Sequence, residues 1–97
     1  MNWNSSENRN LIEAVLALKS PIEARNFLRD LMTEKEIAEF GKRLKAAEML
    51  SDKLPYLQIE KQTGLSSATV ARVSKWLSGS GGGYRNILNK IHHTSSQ

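Results

Sequence analysis

Apolar side chains recur along this chain at intervals of three and four residues, and strict alternation of apolar and polar residues is nearly absent. Such spacing gathers apolar side chains on one face of an α-helix, so the pattern predicts an all-α protein. We predict about six helices, over residues 8–18, from 21 onward, and over 34–51, 56–63, 66–77 and 84–92. The last residues, HHTSSQ, are expected to be frayed.

Two of the predicted helix starts are marked by capping residues. In SPIE, Ser20 stands at the N-cap, Pro21 at the first helical position and Glu23 three residues after the cap. In TEKE, Thr33 and Glu36 have the same relation. We therefore expect helices to begin directly after Ser20 and Thr33, because each hydroxyl can accept a backbone N–H there.

The predicted core is thin for so many helices. The 97 residues are expected to form one domain, residues 1–97, near the lower size limit for a self-sufficient core. We expect the leucine-rich segment 8–51 to bury much of its apolar surface against a second copy of the chain, as a dimerisation region. Packing of the same helices onto their own domain is the alternative. The long helix is expected to turn inward Ile37, Phe40, Leu44, Ala47 and Leu50.

Residues 56–77 fit a helix-turn-helix. Two short helices meet at TGLSS, where Gly64 can adopt the positive φ that ends the first helix and Ser66 can cap the second. The side chains expected where the helices pack are Ile59, Leu65, Val70 and Val73. The side chains expected to face outward are Ser67, Ala68, Thr69, Ala71, Arg72 and Lys75.

The outward face of the second helix is small and polar at its N-terminal end and cationic further along. Short side chains let a helix approach base edges in the major groove, hydroxyls can donate or accept there, and cations meet phosphates. The net charge of +4 resides entirely in residues 52–97, because acidic and basic side chains cancel in residues 1–51. The pattern favours double-stranded DNA as the partner, with an ordinary helical hairpin and a solvated basic surface as the alternative.

Other classes of protein are not favoured by the composition. The chain has no cysteine, which excludes disulfides and thiolate metal sites. It lacks a signal-peptide pattern and any run near the roughly 20 apolar residues of a spanning helix, so we expect a cytoplasmic protein associated with the bacterial nucleoid.

His92 and His93 are adjacent rather than spaced for a shared metal, and GSGGG follows no buried strand, which a phosphate-binding loop would require. We predict no metal, no cofactor and no enzymatic activity, and a hinge at the glycines with Tyr84 as an anchor.

From about Leu31 to Leu77 the chain resembles the Trp repressor family, in particular its Trp-repressor-like branch. The matching stretches are LMTEKEIAEFGKRLKAAEML and QTGLSSATVARVSKWL, and the following GSGGGY is also similar to that branch. The resemblance implies an all-helical, intertwined homodimer. Its two helix-turn-helix units would address half-sites about 34 Å apart, one turn of DNA.

The resemblance also implies a ligand pocket. In the Trp repressor, L-tryptophan is a corepressor that lies between the helix-turn-helix and the long central helix. By this resemblance, Arg43 and Arg72 match the two arginines that flank the indole. Thr33 and Thr69 match threonines of the same pocket.

Two further pocket positions depart from the tryptophan-binding pattern. Val73 stands where that pattern has glycine, and Trp76 stands where it has a serine that holds the ligand's amino group. Our hypothesis is that Trp76 or Val73 fills part of the pocket, so that L-tryptophan is not the effector. Another small molecule could use the remaining space. Trp76 as an ordinary core aromatic residue is the alternative, with the same consequence for tryptophan.

The sequence therefore predicts a sequence-specific DNA-binding transcriptional regulator that acts as a repressor. Leu57 and Glu60 stand where the family has an arginine that contacts the operator and a lysine, so the operator is expected to differ from the tryptophan operator. The alternatives are a helical protein-interaction module and a repressor gated by a different small-molecule effector. The predicted DNA-binding residues are Lys53, Lys61, Ser66, Ser67, Ala68, Thr69, Arg72 and Lys75.

Overall fold

The computed structural model describes residues 1–95, and this part of the chain forms α-helices without a strand. The prediction of an all-α protein with six helices is therefore confirmed. The helices are α1 (Ser6–Ala17), α2 (Pro21–Leu31), α3 (Glu34–Ser51), α4 (Tyr56–Thr63), α5 (Ser67–Ser78) and α6 (Gly83–Ser95).

Both predicted N-caps form, and the one at Thr33 is a complete capping box. Ser20 Oγ accepts the N–H of Glu23 at 3.1 Å, and the Glu23 carboxylate accepts the N–H of Lys19 at 2.9 Å. At the start of α3, Thr33 Oγ1 accepts the N–H of Glu36 at 3.1 Å, and the Glu36 carboxylate accepts the N–H of Thr33 at 2.9 Å. These bonds hold the pKa of Glu36 below its ordinary value. Local sequence alone thus sets where α2 and α3 begin.

The outer helices extend beyond their predicted limits. Helix α1 begins at Ser6, earlier than the predicted residue 8, because Ser5 Oγ accepts the N–H of Asn8 at 3.2 Å. Helix α6 continues to Ser95, beyond its predicted end at residue 92, and the fraying of these last residues stays a prediction. No glycine or proline follows Ile91 to end the helix there. The rest of that predicted tail, residues 96–97, lies outside the described residues.

The chain divides into two compact units within α3. The first unit, Met1–Ile37, contains α1 and α2, and neither helix has a buried residue. We call its exposed large side chains the N-terminal apolar surface, formed by Leu11, Ile12, Val15, Leu16, Ile22, Leu28, Leu31 and Ile37. An apolar surface of this extent is typical of a region that a partner covers. One domain over residues 1–97 stays a prediction.

The second unit begins at Ala38 and contains the hydrophobic core. Helices α4 and α6 both pack against α5, and α3 contributes its C-terminal part. Ile59 and Val70 are its largest fully buried side chains. The burial predicted for the helix-turn-helix packing residues is confirmed for all of them. The core side chains are Ala46, Ala47, Met49, Ile59, Leu65, Val70, Val73 and Leu88.

The predicted inward face of α3 is correct only near its C-terminal end. Ala47 is buried as predicted, and Leu50 packs against the core. Ile37, Phe40 and Leu44, however, are 37%, 42% and 37% exposed. The periodicity correctly identified an apolar face, but within one chain α4 to α6 cover only the part of α3 from Ala46 onward.

Helix α3 ends in a left-handed residue that is not glycine. Lys53 has φ 64°, the only positive φ outside glycine in the described chain. Its N–H donates to Leu50 O at 2.9 Å, and the N–H of Leu54 donates to Met49 O at 3.1 Å. These two bonds form a Schellman motif, and Leu54 then packs against the core. A side chain with a Cβ is strained in this conformation, whereas glycine is not.

We predict that Lys53→Gly increases the free energy of unfolding by about 1 kcal/mol, because glycine relieves the left-handed strain. Urea denaturation at one fixed protein concentration measures the change. Lys53→Ala is the matched control, since it removes the same charge and keeps the Cβ. A glycine variant no more stable than the alanine variant would contradict the strain argument.

Candidate functional site

The turn between α4 and α5 is fixed by backbone and side-chain hydrogen bonds. Gly64 has φ 76°, as predicted, and its N–H donates to Glu60 O at 2.8 Å. Thr63 is buried, donates its hydroxyl to Ile59 O at 2.7 Å and accepts the N–H of Leu65 at 3.2 Å. Thr63 was not among the predicted residues, although a hydroxyl directly before a helix-ending glycine is a recognisable signal. The turn therefore sets the direction of α5 rigidly.

The first turn of α5 presents small side chains to solvent. Ser66 Oγ accepts the N–H of Thr69 at 3.2 Å, which confirms Ser66 as the N-cap, and it donates to Thr69 Oγ1 at 3.0 Å. Ser67 and Ala68 are exposed, and Thr69 is half-buried. Within the described chain the Ser67 hydroxyl has no hydrogen-bond partner. Ser67 and Ala68 are thus the most available side chains at this end of the helix.

The basic side chains predicted to contact DNA are exposed, and none forms an ion pair within residues 1–95. These are Lys53, Lys61, Arg72 and Lys75. The basic residues at the centre of α3 differ, because Arg43 pairs with Glu39 at 3.1 Å and Lys45 with Glu48 at 2.9 Å. The hydrogen bond and charge of Lys45 hold the pKa of Glu48 below its ordinary value. The unpaired cations that were predicted to contact DNA thus all belong to the helix-turn-helix or the turn before it.

A cavity of about 420 Å³ lies in the second unit. We call it the arginine pocket. Five of the pocket residues that the resemblance implies line this cavity, namely Arg43, Thr69, Arg72, Val73 and Trp76. The glycine-rich segment between α5 and α6 lines it as well, through Gly81, Gly82, Gly83 and Tyr84. The remaining implied residue, Thr33, lies in the first unit as the N-cap of α3.

Val73 and Trp76 border the arginine pocket without closing it. Val73 is only 2% exposed and belongs to the hydrophobic core. Trp76 is 65% exposed, so the reading of Trp76 as an ordinary core aromatic residue is wrong for this chain. No element of the described single chain covers this position of the helix. The space that remains is within the size range of small-molecule sites.

The two arginines of the pocket differ in their surroundings. Arg43 is half-buried, held by Glu39, and its guanidinium carbon lies 5.4 Å from the centre of the Phe40 ring. That arrangement is a cation–π contact. Arg72 is exposed and has no ion pair within the described residues. One guanidinium is therefore held in place by its own helix, and the other is available to a ligand or a phosphate.

The connection from α5 to α6 is stabilised by Arg85, a residue that was not predicted to have a role. Arg85 Nη1 donates to Leu77 O at 3.1 Å and to Gly79 O at 2.9 Å. A cation beside the C-terminal carbonyls of a helix is favourable for its dipole. Tyr84 packs against the core, and Gly82 has φ 74°. The signal in the sequence that could have identified Arg85 was its position shortly after the glycine-rich end of a helix.

Metal and membrane sites are not found in the part of the chain that the structure describes. Residues 1–95 contain no group of three or more histidine, cysteine or acidic side chains that could hold a metal ion. Within the same residues, no helix has both the length and the apolar character that crossing a membrane requires.

Comparison with known proteins extends the resemblance to nearly the whole chain. The model of the Trp repressor protein family matches residues 6–92. The chain is 34% identical over 87 residues to the uncharacterized protein YerC of Bacillus subtilis (strain 168), covering 90% of this chain and 84% of YerC. It also matches the crystal structure of a TrpR-like protein from Eubacterium eligens ATCC 27750, with a TM-score of 0.87, 32% identity and 93% of each chain covered. The first and last helices are therefore part of the similarity.

We predict that Arg85→Met lowers the free energy of unfolding by about 1 kcal/mol, because two carbonyls at the end of α5 lose a charged donor. Urea denaturation measures the loss. Amide hydrogen exchange should also become faster between residues 79 and 84. Arg25→Met is the control, since Arg25 is exposed and makes no hydrogen bond or ion pair within the described chain. Equal effects of the two substitutions would show that the Arg85 contacts do not stabilise this connection.

Proposed function

The chain belongs to the Trp repressor family, and from this we propose that it is a sequence-specific DNA-binding transcriptional regulator that acts as a repressor. One observation carries the proposal. Helix α5 is set by a rigid turn and exposes small side chains at its first turn, with unpaired cations around them. That arrangement suits a helix whose N-terminal end enters the major groove. We propose no enzymatic activity, and a place on the bacterial nucleoid in the cytoplasm.

The proposed contacts divide into two kinds. Lys53, Lys61, Arg72 and Lys75 would neutralise phosphates, which supplies affinity on any sequence. The Ser66–Thr69 end of α5 would read base edges. Because the hydroxyls of Ser66 and Thr69 are bonded to each other, Ser67 and the methyl group of Ala68 are the most accessible readers.

The proposed operator differs from the tryptophan operator. Leu57 is 79% exposed near the start of α4, where the family's tryptophan repressor has an arginine. An apolar side chain cannot donate to a phosphate or a base edge as arginine does. Glu60, in place of a lysine, adds a negative charge to the same helix.

We propose that the protein acts as an intertwined homodimer. The N-terminal apolar surface, together with exposed Phe40 and Leu44, is too extensive to remain in water without a cost in stability. A second copy supplies an apolar surface of the same kind, which a two-fold interface requires. The dimer would place two α5 helices about one turn of DNA apart.

The same surface also supports the rival proposal, a helical protein-interaction module in which the helix-turn-helix is only a scaffold. The two proposals differ in their response to salt. Release of counterions from DNA makes the logarithm of the affinity fall linearly with the logarithm of salt concentration, whereas an apolar protein interface has no such dependence. Selection of bound sequences from a random DNA pool completes the test. A two-fold symmetric site supports the dimeric regulator, and a pool without enrichment supports the rival.

L-tryptophan is proposed not to be the corepressor, because Val73 and Trp76 replace a glycine and a serine of the tryptophan site. We predict that titration calorimetry shows no saturable binding of L-tryptophan. DNA mobility-shift assays should give the same affinity with and without it. Saturable binding, or DNA affinity that depends on L-tryptophan, would refute this prediction.

We predict that Lys75→Ala weakens DNA binding about equally on all sequences and reduces the slope of the salt dependence by about one. Ser67→Ala and Thr69→Val should instead change the preference at one base pair, with a cost of about 1–3 kcal/mol for the preferred base. Binding curves on the selected site and on its single-base variants, recorded at several salt concentrations, measure both effects. Uniform losses on every sequence for all three variants would contradict the proposed division.

A further inference from the structure

One large apolar side chain of the helix-turn-helix points away from the core into solvent. Leu57 is 79% exposed, more than any other large apolar side chain described in the second unit. It lies in the first turn of α4, on the side of the helix opposite the buried Ile59 and Thr63. Leu57 therefore contributes nothing to the core and is free to contact a partner.

The outward side of α5 has the same relation to the core. Ala68 and Arg72 are exposed and lie opposite Val70, which is fully buried. Where a helix-turn-helix binds DNA, its second helix enters the major groove and its first helix crosses the backbone beside that groove. With α5 in the groove, the first turn of α4 is therefore brought to the groove edge, and its outward side chain is Leu57.

The surroundings of Leu57 suit a base edge better than a phosphate. Leu57, Gln58, Glu60 and Lys61 line one depression of the surface, of about 640 Å³. The charges of Glu60 and Lys61 cancel, and within residues 1–95 the Glu60 carboxylate forms no ion pair. A carboxylate repels the phosphates of the backbone but can accept a hydrogen bond from the amino group of a base. The depression therefore offers an apolar contact and an acceptor, both of which base edges can use.

Thymine is the base that an apolar side chain can recognise from the major groove. Its 5-methyl group is the apolar feature that distinguishes its edge from those of the other bases. A contact between leucine and deoxyribose would be the same for every base, because the sugar does not vary along the strand. A leucine at the groove edge consequently discriminates between bases through this methyl group.

We propose that Leu57 is a specificity-determining residue, which contacts the 5-methyl group of a thymine beside the base pairs that Ser67 and Ala68 contact. Each half-site is then read by two helices, with the small side chains of α5 in the groove and an apolar contact from α4 at its edge. This inference rests on the proposed function, because it requires α5 to occupy a major groove of DNA.

Uracil in place of thymine tests the contact, because it removes only the 5-methyl group and still pairs with adenine. In the site selected from the random pool, each thymine of one half-site is replaced in turn by uracil. We expect one replacement to weaken wild-type binding about fourfold, as the loss of one buried methyl group would, and Leu57→Ala to bind the two forms of that site equally. At the same position, 5-methylcytosine should bind wild type more tightly than cytosine does, since it returns the methyl group.

Leu57→Met is the matched control, because methionine keeps an apolar side chain of similar volume. It should retain most of the discrimination between thymine and uracil that Leu57→Ala loses. Since Leu57 is exposed, both variants should unfold at the wild-type temperature in the absence of DNA. A difference between them in DNA binding then reports the contact and not the stability of the fold.

Three outcomes would overturn the proposal. They are equal affinity for the thymine and uracil forms at every position, a uracil effect that is the same in wild type and Leu57→Ala, and a loss in Leu57→Ala that is uniform on all sequences. If a site is selected and the salt dependence is steep, each of these outcomes leaves the proposed DNA-binding regulator intact. A random pool without enrichment would instead refute the regulator, and the role of Leu57 with it.

Discussion

The burial of one side of α5 is the constraint on which the second unit depends. Val70 and Val73 are 0% and 2% exposed and tie α5 into a core to which α3, α4 and α6 all contribute. Because α4 and α6 pack against α5, the turn at Gly64 and the connection at Arg85 both act on the same helix. The opposite side of α5 does not pack against another helix of the unit. Packing therefore does not constrain its residues, and natural selection can act on what they bind.

The features that depend on local sequence were predictable. The limits of α3 and α4, the two N-caps at Ser20 and Thr33 and the left-handed Gly64 follow from residues within a few positions of each other. The buried residues of the helix-turn-helix were also predictable, because two helices that meet at a tight turn must face each other. Most of the sequence-derived pocket residues lie around one cavity, although this grouping came from a family resemblance and not from the residues alone.

The features that were missed depend on tertiary structure. The sequence could not show which part of the apolar face of α3 is buried. Phe40 and Ala47 have the same periodicity, and only the position of the other helices distinguishes them. Lys53 adopts a left-handed conformation that its residue type does not favour, since the packing of Leu54 requires it. Arg85 and the pocket-facing glycines became evident only when α6 was placed beside α5.

The first unit has no buried residue in α1 or α2, and this has a genetic consequence under the proposed dimer. A copy damaged only on the exposed side of α5 would retain every residue of the N-terminal apolar surface. It would therefore still pair with an intact copy, and the mixed pair would carry only one functional reading helix. Such an allele would be dominant over the wild-type allele in a cell that makes both proteins. An allele that damages the apolar surface itself would be recessive, because its product would be excluded from pairs.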